Sequence, residues 1–478
     1  MDYLRLVLIA TAVFLVSGCV PMIQKATPME ETTITNDLNK SLAQWEQHDS
    51  HLVREWWRGF GDTQLDSLVE ESLTSAPSLL TLEARYSQAN TIIASAQSRN
   101  LPHISAEASV MRERFSENHI FPAPLGGSTN TQYQPALTLD YDFDFWNERH
   151  SRILAAQNNA LSQRATIEAT KIALSSAICE TYLSWSYDEQ KIEVLSALEQ
   201  LSRDELKIIE KQYQLGLIDG VGINTKKSDL AKIKQREEEL KRSIEGKKEA
   251  ICVLGGFLPS RADGFNMPRI RQDFSLSLPK EVLLNLLAHR PDVAIAKYTA
   301  LSKSHTIEET KAQFYPNISL SGAIGFTSFN WAKLLDHSSY TPSAGVALSL
   351  PLFDWGERKA NLQNSVSDYN ASVYEYNGVI IKAANEVVML LKQSKHVALQ
   401  RQFHEDEMTV KKANETIARK KLMQGLSNKL PFLSEQKVVR EAELKTLSLN
   451  ETKTALQINL IKALGGGYSE DGDENESR

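Results

Sequence analysis

Two kinds of hydrophobic periodicity alternate along the chain. Long segments repeat apolar residues every three or four positions, which predicts helices. Between them lie shorter segments in which apolar and polar residues alternate, which predicts strands, namely 103–111, 133–145, 317–326 and 343–353. In the second of these, every odd position from Tyr133 to Phe145 is apolar, whereas the even positions include Asp140, Asp142 and Asp144. The pattern predicts an α+β architecture with four strands inserted among helices.

The longest helical segments are nearly free of glycine and proline. They are 149–215 and 357–424. At 1.5 Å per residue, each unbroken helix would reach about 100 Å. Gly216 and Gly425 follow them, and each glycine precedes a returning helical segment, roughly 225–254 and 433–464. Helices of this length exceed a globular domain, so we expect them to pack against neighbouring helices as in a coiled coil.

Landmarks of the first half of the chain recur in the same order in the second half. The recurring pairs are Pro77 with Pro291, Leu101-Pro102 with Tyr315-Pro316, Trp146 with Trp355, and Leu254-Gly255-Gly256 with Leu464-Gly465-Gly466. This internal duplication predicts one structural repeat built twice. Each half then supplies two of the four predicted strands.

The N-terminus has the pattern of an export signal. Arg5 precedes a short apolar run, and Leu15-Val16-Ser17-Gly18-Cys19 resembles a bacterial lipobox. The apolar run is too short to span a bilayer as a helix, and no other stretch approaches the roughly 20 apolar residues required. We therefore expect 1–18 to be a signal peptide and Cys19 to be the lipid-attachment residue, with N-palmitoyl and S-diacylglycerol groups. A cleaved signal with a chance cysteine is the alternative.

Alternating segments of about ten residues suit transmembrane β-strands, although a half-buried strand of a soluble sheet has the same pattern. The export signal and the long flanking helices favour the membrane interpretation. Lipid does not tolerate an open sheet edge, because each unpaired backbone group costs several kcal/mol there. The smallest transmembrane barrels have about 8 strands. Four strands per chain therefore predict an oligomer, without choosing between a dimer, a trimer and a larger assembly.

Charge and motifs exclude several function classes. A net charge of −7 gives no indication of a nucleic-acid partner. The sequence contains no P-loop, no dinucleotide-binding glycine motif after a strand and no nucleophile elbow, so no enzyme activity and no cofactor are expected. His48 and His51 lie three residues apart without further ligands, which is too few for a metal site. Cys179 and Cys252 lie in apolar helical contexts and are predicted to be buried thiols, with a disulfide left open.

These patterns divide the chain into six parts. They are a signal peptide (1–18), a lipidated tether (19–60), a first structural repeat (61–256), a linker (257–279), a second structural repeat (280–467) and an acidic, disordered tail (468–478).

An ordered set of motifs resembles the TolC/OprM/NodT family of outer-membrane efflux proteins over roughly residues 55–467. The motifs are Trp56-Trp57-Arg58-Gly59-Phe60-Gly61-Asp62, Arg290-Pro291-Asp292, Phe314-Tyr315-Pro316-Asn317-Ile318-Ser319-Leu320, Leu350-Pro351-Leu352-Phe353-Asp354 and Lys462-Ala463-Leu464-Gly465-Gly466-Gly467. The lipobox resembles that of the lipoprotein branch of the family.

The resemblance implies a homotrimer in the outer membrane of a Gram-negative bacterium. Its 12-stranded β-barrel, with four strands per chain, would continue into a long α-helical barrel in the periplasm. The resemblance also implies a passive exit duct that works with a periplasmic adaptor and an inner-membrane transporter, often of the RND class. Drugs, dyes, detergents and other amphiphiles would be its substrates. The channel of a type I protein secretion system shares the fold and is the alternative; a periplasmic coiled-coil lipoprotein without a pore is a third possibility.

The resemblance also suggests two sets of functional residues. In the family, an aspartate and, three residues later, an arginine help to close the inward end of the tunnel. The matching positions are Ser434 and Lys437, so the aspartate is absent, and Glu435 lies about 100° away around the helix. These three residues form the candidate constriction, with a solvated helix start as the alternative. Asp140, Asp142 and Asp144 form a candidate acidic lumen, which would favour cations; hydrogen bonding near the barrel base is the alternative.

Overall fold

The computed structural model describes Lys25 and residues 54–118, 120, 122–271 and 289–468. The predicted signal peptide, Cys19, the pair His48 and His51, and the acidic residues 469–478 lie outside this part of the chain. Residues 272–288, which fall in the predicted linker and at the start of the second repeat, also lie outside it.

Helices dominate the described residues, and the strands form one small sheet. The helices are α1 (Thr63–Ser75), α2 (Pro77–Ser98), α3 (Glu148–Gln214), α4 (Gly220–Gly255), α5 (Pro291–Ala312), α6 (Glu357–Met423) and α7 (Lys429–Ala463). The strands are β1 (His103–Arg114), β2 (Thr129–Phe143), β3 (Asn317–Phe326) and β4 (Tyr340–Ser349). Short 3₁₀ helices span Trp56–Phe60, Pro259–Gly264, Trp331–Lys333 and His337–Ser339. Among the described residues, no helix combines the length and the apolar character needed to cross a membrane.

The chain divides into two compact units. The first includes Arg85–Gln163 and Ile295–Tyr376 and contains the sheet. The second includes residues 54–84, 164–271, 289–294 and 377–468, and it contains the two helical hairpins and the segments packed against them.

The sheet is an antiparallel meander in the order β1-β2-β3-β4. Its central pairing joins the two halves of the chain, because β2 belongs to the first half and β3 to the second. Tyr141 lies opposite Leu320, and Phe143 lies opposite Ile318. One long edge of β1 and one long edge of β4 have no neighbouring strand within the described part of the chain. A sheet of this kind offers two rows of backbone groups for further pairing.

Three strands end at residues other than the predicted ones. The segment 103–111 extends to Arg114, 133–145 is replaced by Thr129–Phe143, and 343–353 is replaced by Tyr340–Ser349. At the hairpin ends, pairing continues into polar residues, as between Arg114 and Thr129. Alternation of hydrophobicity cannot detect this extension. At the other end, the chain leaves the sheet early because the following aspartates bind the starts of α3 and α6.

The two turns that end α3 and α6 share one backbone conformation although their sequences differ. Gly216 and Gly425 have φ of 67° and 70°, which is the left-handed region that glycine tolerates. Asp219 and Asn428 then cap α4 and α7 by accepting from Gly222 and Leu430. The returning helices therefore begin before the predicted residues 225 and 433. Pro431 fits in the first turn of α7, where backbone N–H groups have no helical acceptor.

The structure moves two boundaries of the predicted division and shows local structure within the predicted linker. Trp56, Trp57 and Phe60 are buried, so the tether ends before them. Tyr468 is buried, and its carbonyl lies 3.0 Å from His289 Nδ1, so it belongs to the packed chain and not to a disordered tail. The linker begins with the 3₁₀ helix Pro259–Gly264, and its last described residue, Arg271, donates its N–H to the carbonyl of Phe60 at 2.9 Å.

Cys179 and Cys252 are both buried and not joined in a disulfide. Burial raises the pKa of the Cys179 thiol well above its usual value, which keeps it protonated and unreactive.

Candidate functional site

The two faces of the sheet differ in chemistry. One face carries apolar side chains, of which Ile104, Leu137, Ile324, Val346 and Leu348 are more than half exposed. The other face carries His103, Ser105, Glu107, Thr138, Asp140, Asp142, Ser319, Ser321 and Ser343. An exposed apolar face on a strand pair needs a nonaqueous neighbour, whereas the opposite face suits water and ions.

The structure separates the three aspartates of the candidate acidic lumen. Asp140 is exposed in β2, opposite His103 in β1 and Ser321 in β3. Asp142 lies opposite Ser319, but its carboxylate also pairs with the Arg149 guanidinium, which donates a second bond to the Asp142 carbonyl at 2.8 Å. Asp140 therefore keeps the most freely accessible carboxylate of the three.

Asp144 lies beyond the last residue of β2 and binds the start of α3. Its carboxylate accepts from the backbone N–H groups of Arg149 at 3.1 Å and His150 at 2.9 Å. Such capping satisfies donors that the first helical turn leaves open. The prediction that Asp144 continues the polar face of the strand is therefore wrong.

Asp354 repeats this arrangement at the start of α6. Its carboxylate accepts from the N–H groups of Gly356 at 3.0 Å and Arg358 at 3.2 Å, and from the Arg358 side chain at 2.5 Å. The recurring Asp and Arg thus fix the exit from the sheet into a long helix in both halves.

An aromatic stack lies at the same end of the sheet. Trp146 stacks on Tyr315, with ring centroids 4.7 Å apart, and its Nε1 donates to the Pro316 carbonyl at 2.8 Å. The repeat counterpart of Trp146 is Trp355, which is 90% exposed. The counterpart of Tyr315 is Leu101, which is 64% exposed. The contact between Trp146 and Tyr315 is therefore made within the chain. The residues of the equivalent contact, Trp355 and Leu101, are both exposed.

Lys437, the basic residue of the candidate constriction, belongs to a three-residue charge cluster near the helix turns. Its ammonium lies 2.8 Å from one carboxylate oxygen of Glu205 in α3. Lys226 in α4 lies 2.8 Å from the other oxygen. Glu205 is only 7% exposed, so its charge needs these partners. The cluster joins α7 to both helices of the first hairpin.

The electrostatics of the cluster favour the ionised state. Burial alone would raise the pKa of Glu205, but the hydrogen bonds and charges of Lys226 and Lys437 outweigh burial and hold the pKa below its usual value of 4.5. At neutral pH the cluster therefore carries one negative and two positive charges.

The other two residues of the candidate constriction lie differently. Ser434 is exposed and Glu435 is half-buried. Neither takes part in an ion pair among the described residues. Among these three residues, Lys437 thus forms an ion pair with a neighbouring helix, and Ser434 and Glu435 form none within the described part of the chain.

Sequence reasoning missed Glu205 and Lys226. A signal for Glu205 was present, because Leu195, Leu198, Ser202 and Glu205 follow a spacing of three, four and three, and all four are buried. A carboxylate that continues an apolar stripe predicts a buried ion pair. Lys226 gives no comparable signal, because lysine is common on solvated helix faces.

Further ion pairs attach α7 to the first hairpin. Lys429 lies 3.6 Å from Asp204, and Arg236 holds both carboxylate oxygens of Glu441 at 2.8 and 3.3 Å. These pairs are largely exposed, so each contributes at most about 1 kcal/mol. They mark the contact between α7 and the first hairpin. No group of three or more metal-ligating side chains occurs in the described ranges.

Comparisons with known proteins identify the family and the fold of the chain. A family model described as "Outer membrane efflux protein" matches residues 68–254 and 282–466. The multidrug resistance outer membrane protein MdtP of Escherichia coli K12 is 24% identical over 478 residues, covering 95% of this chain and 94% of that protein. The fusaric acid resistance protein FusA of Burkholderia cepacia is 27% identical over 316 residues, covering 64% of this chain and 59% of that protein.

Solved structures show the same fold. The outer membrane protein VceC of Vibrio cholerae is 26% identical, with a TM-score of 0.80 over 87% of this chain and 100% of that one. The CmeC outer membrane channel of Campylobacter jejuni reaches a TM-score of 0.81 at 20% identity, covering 96% of each chain. At that identity, CmeC supports the fold alone.

Proposed function

The chain belongs to the outer membrane efflux protein family and is an outer-membrane protein, and from that premise we propose that it forms the exit duct of a tripartite multidrug efflux pump. The single observation that carries the proposal is the amphipathic four-stranded sheet with two free edges, continuous in sequence with two 67-residue helices. Its apolar face suits lipid, and its polar face suits an aqueous pore.

The internal repeat supports closure of the sheet by further copies. Within the chain, β2 of the first half pairs with β3 of the second half. The equivalent pairing would join β4 to β1 of a neighbouring copy, and it would use both free edges. Lipid requires this closure, because unpaired backbone groups there cost several kcal/mol each.

The same symmetry accounts for the exposure of Trp355 and Leu101. Trp355 would contact Leu101 and Pro102 of the neighbouring copy, as Trp146 contacts Tyr315 and Pro316 within the chain. Three copies would supply 12 strands, which agrees with the homotrimer that the family resemblance implies. The helices α3, α4, α6 and α7 of the three copies would then form the wall of the periplasmic helical barrel.

The helix turns are the proposed inward end of the duct. Glu205, Lys226 and Lys437 would hold the helices in the closed arrangement, with Ser434 and Glu435 in the same turns of α7. Opening requires α7 to separate from the first hairpin, which breaks the pair between Lys437 and Glu205. Asp140 would line the lumen of the barrel and favour cations.

The proposal assigns no catalytic step to the chain. Passive conduction needs no reactive residue, so energy would come from an inner-membrane transporter, of the RND class, through a periplasmic adaptor. Cys19 would carry the lipid anchor. Drugs and amphiphiles are the proposed substrates, supported by the names of MdtP and FusA. These names favour drug efflux over the alternative of a protein secretion channel.

Planar bilayers test the pore directly. Purified full-length protein, shown to be a trimer by its mobility before and after heating, should give discrete conductance steps. A protein that forms trimers but never conducts, including under conditions that break ion pairs, would exclude the duct. The pore-less lipoprotein would then be the better description.

A further inference from the structure

A second polar site lies in the helical unit, away from the cluster at the helix turns. It is a partly enclosed cavity of about 150 Å³, lined by Phe60, Tyr187, Ile270, Arg271, Arg401, Asn450, Lys453 and Thr454. Three of these residues are cations, and none is acidic. A small molecule fits this space, because one water occupies about 30 Å³ in the liquid.

The cations of this cavity lack the carboxylate partners found elsewhere in the same unit. Lys191 lies 2.5 Å from Glu451, and Lys437 lies 2.8 Å from Glu205. By contrast, Lys453 and the side chain of Arg271 have no ion pair among the described residues. Arg401 has only a long contact of 3.6 Å with Glu405, a residue that is 69% exposed.

Two hydroxyls of the cavity are already hydrogen-bonded. The Tyr187 and Thr454 hydroxyls lie 3.0 Å apart, and Thr454 also donates to the Asn450 carbonyl at 3.0 Å, so the three cations are the groups that would hold an anion. Burial lowers the pKa of Lys453, and the positive charge of Arg401 lowers it further, so the cavity disfavours the protonated form of Lys453. A negative ligand would offset this repulsion between positive charges.

We propose that this cavity binds a small tetrahedral oxyanion of the phosphate or sulfate class, held by Arg271, Arg401 and Lys453. Guanidinium and ammonium groups form charge-assisted hydrogen bonds with such oxygens. The ligand would connect α6 and α7 to the segment at Ile270–Arg271, which already binds Phe60 through the backbone. Its role would be to fasten this segment to the helical unit, independently of any export activity.

Thermal unfolding of the full-length protein in detergent tests the site with inorganic phosphate as the probe. Phosphate is titrated against sodium chloride at equal ionic strength, with sulfate and acetate as further arms. The unfolding temperature should rise with phosphate and sulfate and should saturate, since a ligand that binds only the folded state stabilises it by mass action. A response to acetate as strong as that to phosphate would overturn the assignment to tetrahedral oxyanions.

Substitutions locate the effect. Lys453→Gln and Arg401→Gln should each weaken the apparent phosphate affinity at least tenfold. Lys445→Gln is the matched control, because Lys445 is exposed on the same helix and loses the same charge. Equal phosphate responses in wild type, Lys453→Gln and Lys445→Gln would overturn the proposal. The proposal would also be overturned if the Lys453→Gln oligomer dissociated whether or not phosphate was present. That result would mean that a group of a neighbouring chain occupies the cavity.

A wild-type measurement keeps the test valid if the variants do not fold. Crystals soaked in tungstate, a heavy tetrahedral oxyanion, should give an anomalous peak between Arg401 and Lys453. The absence of a peak there, in crystals whose cavity is open to solvent, would contradict the site.

Discussion

Trp146 and Pro316 connect the two halves of the chain at one end of the sheet, where the indole Nε1 donates to the proline carbonyl at 2.8 Å. The repeat places Trp355 in the position of Trp146, but Trp355 is 90% exposed. Because Trp146 is stacked and hydrogen-bonded whereas its counterpart is exposed, we propose that Leu101-Pro102 of another copy supplies the equivalent contact to Trp355.

The repeat also predicts the register between copies. Leu139 lies opposite Gly322, and Leu137 lies opposite Ile324. Applying the repeat offsets to these pairs places Leu348 opposite Ala108 of the neighbour, and Val346 opposite Val110. The double variant Leu348→Cys/Ala108→Cys should therefore form disulfide-linked trimers on mild oxidation, because opposed residues on one face bring their Cβ atoms to about 4.5–5.5 Å.

The matched control for this cross-link is Leu348→Cys/Ser109→Cys. Ser109 is adjacent in β1 but lies on the other face, so its thiol points away from Leu348. The native Cys179 and Cys252 are buried and should not interfere. Efficient cross-linking by the control pair, with none by the first pair, would show that the register between copies differs from the repeat.

The ion pair between Lys437 and Glu205 should hold the inward end closed. Lys437→Gln leaves the buried Glu205 with one partner, and the expected cost lies between the ~1 kcal/mol of an exposed pair and the ~3 kcal/mol of a buried one. We expect a higher open probability or larger single-channel conductance in planar bilayers. Glu435→Gln, two residues away and outside this ion pair, should change conductance much less. Equal effects of the two substitutions would remove the ion pair from the gate.

Acid should open the same contact. The pKa of Glu205 in the folded protein lies below its usual value of 4.5 because of Lys226 and Lys437, so the pair contributes its full stability above pH 4.5. That stability is lost as the pH falls through the lower, folded pKa. Conductance should thus stay low between pH 7 and pH 5 and rise below pH 4.5. In Lys437→Gln the rise should begin at higher pH. A transition near pH 6 in wild type would indicate a histidine instead.

Asp140 and Asp144 should respond differently to neutralisation. Asp140→Asn removes an exposed carboxylate of the polar face, so reversal potentials in a salt gradient should shift away from cation preference. Asp144→Ala removes a helix cap, so it should destabilise the protein by about 1 kcal/mol and leave selectivity nearly unchanged. Identical selectivity in wild type and Asp140→Asn would contradict a lumenal position of this residue.

Much of the fold follows from the hydrophobic pattern, because strands and long helices differ in period. Leu137 and Leu139 alternate with polar neighbours, and the Gly216 and Gly425 turns interrupt long helical runs. The strand ends could not be predicted in this way, since Arg114 and Thr129 pair although both are polar. The role of Asp144 as a helix cap could not be predicted either, because a capping residue and a strand residue look alike in an alternating segment.

The candidate constriction was only partly predictable. The family pattern identified Lys437, but its partner Glu205 lies 232 residues earlier in the chain, and Glu205 is also bound by Lys226. Long-range pairing of this kind depends on how α3, α4 and α7 pack, which periodicity does not specify. The buried stripe that ends at Glu205 was the available signal.

The most direct test of the efflux account is the susceptibility of a strain that lacks this chain, measured against many unrelated drugs, dyes and detergents. The account predicts several-fold lower inhibitory concentrations for several amphiphilic compounds, and recovery when the full-length chain is supplied again. Unchanged inhibitory concentrations for every compound, together with loss of a polypeptide from the culture medium, would contradict drug efflux and identify a protein secretion channel.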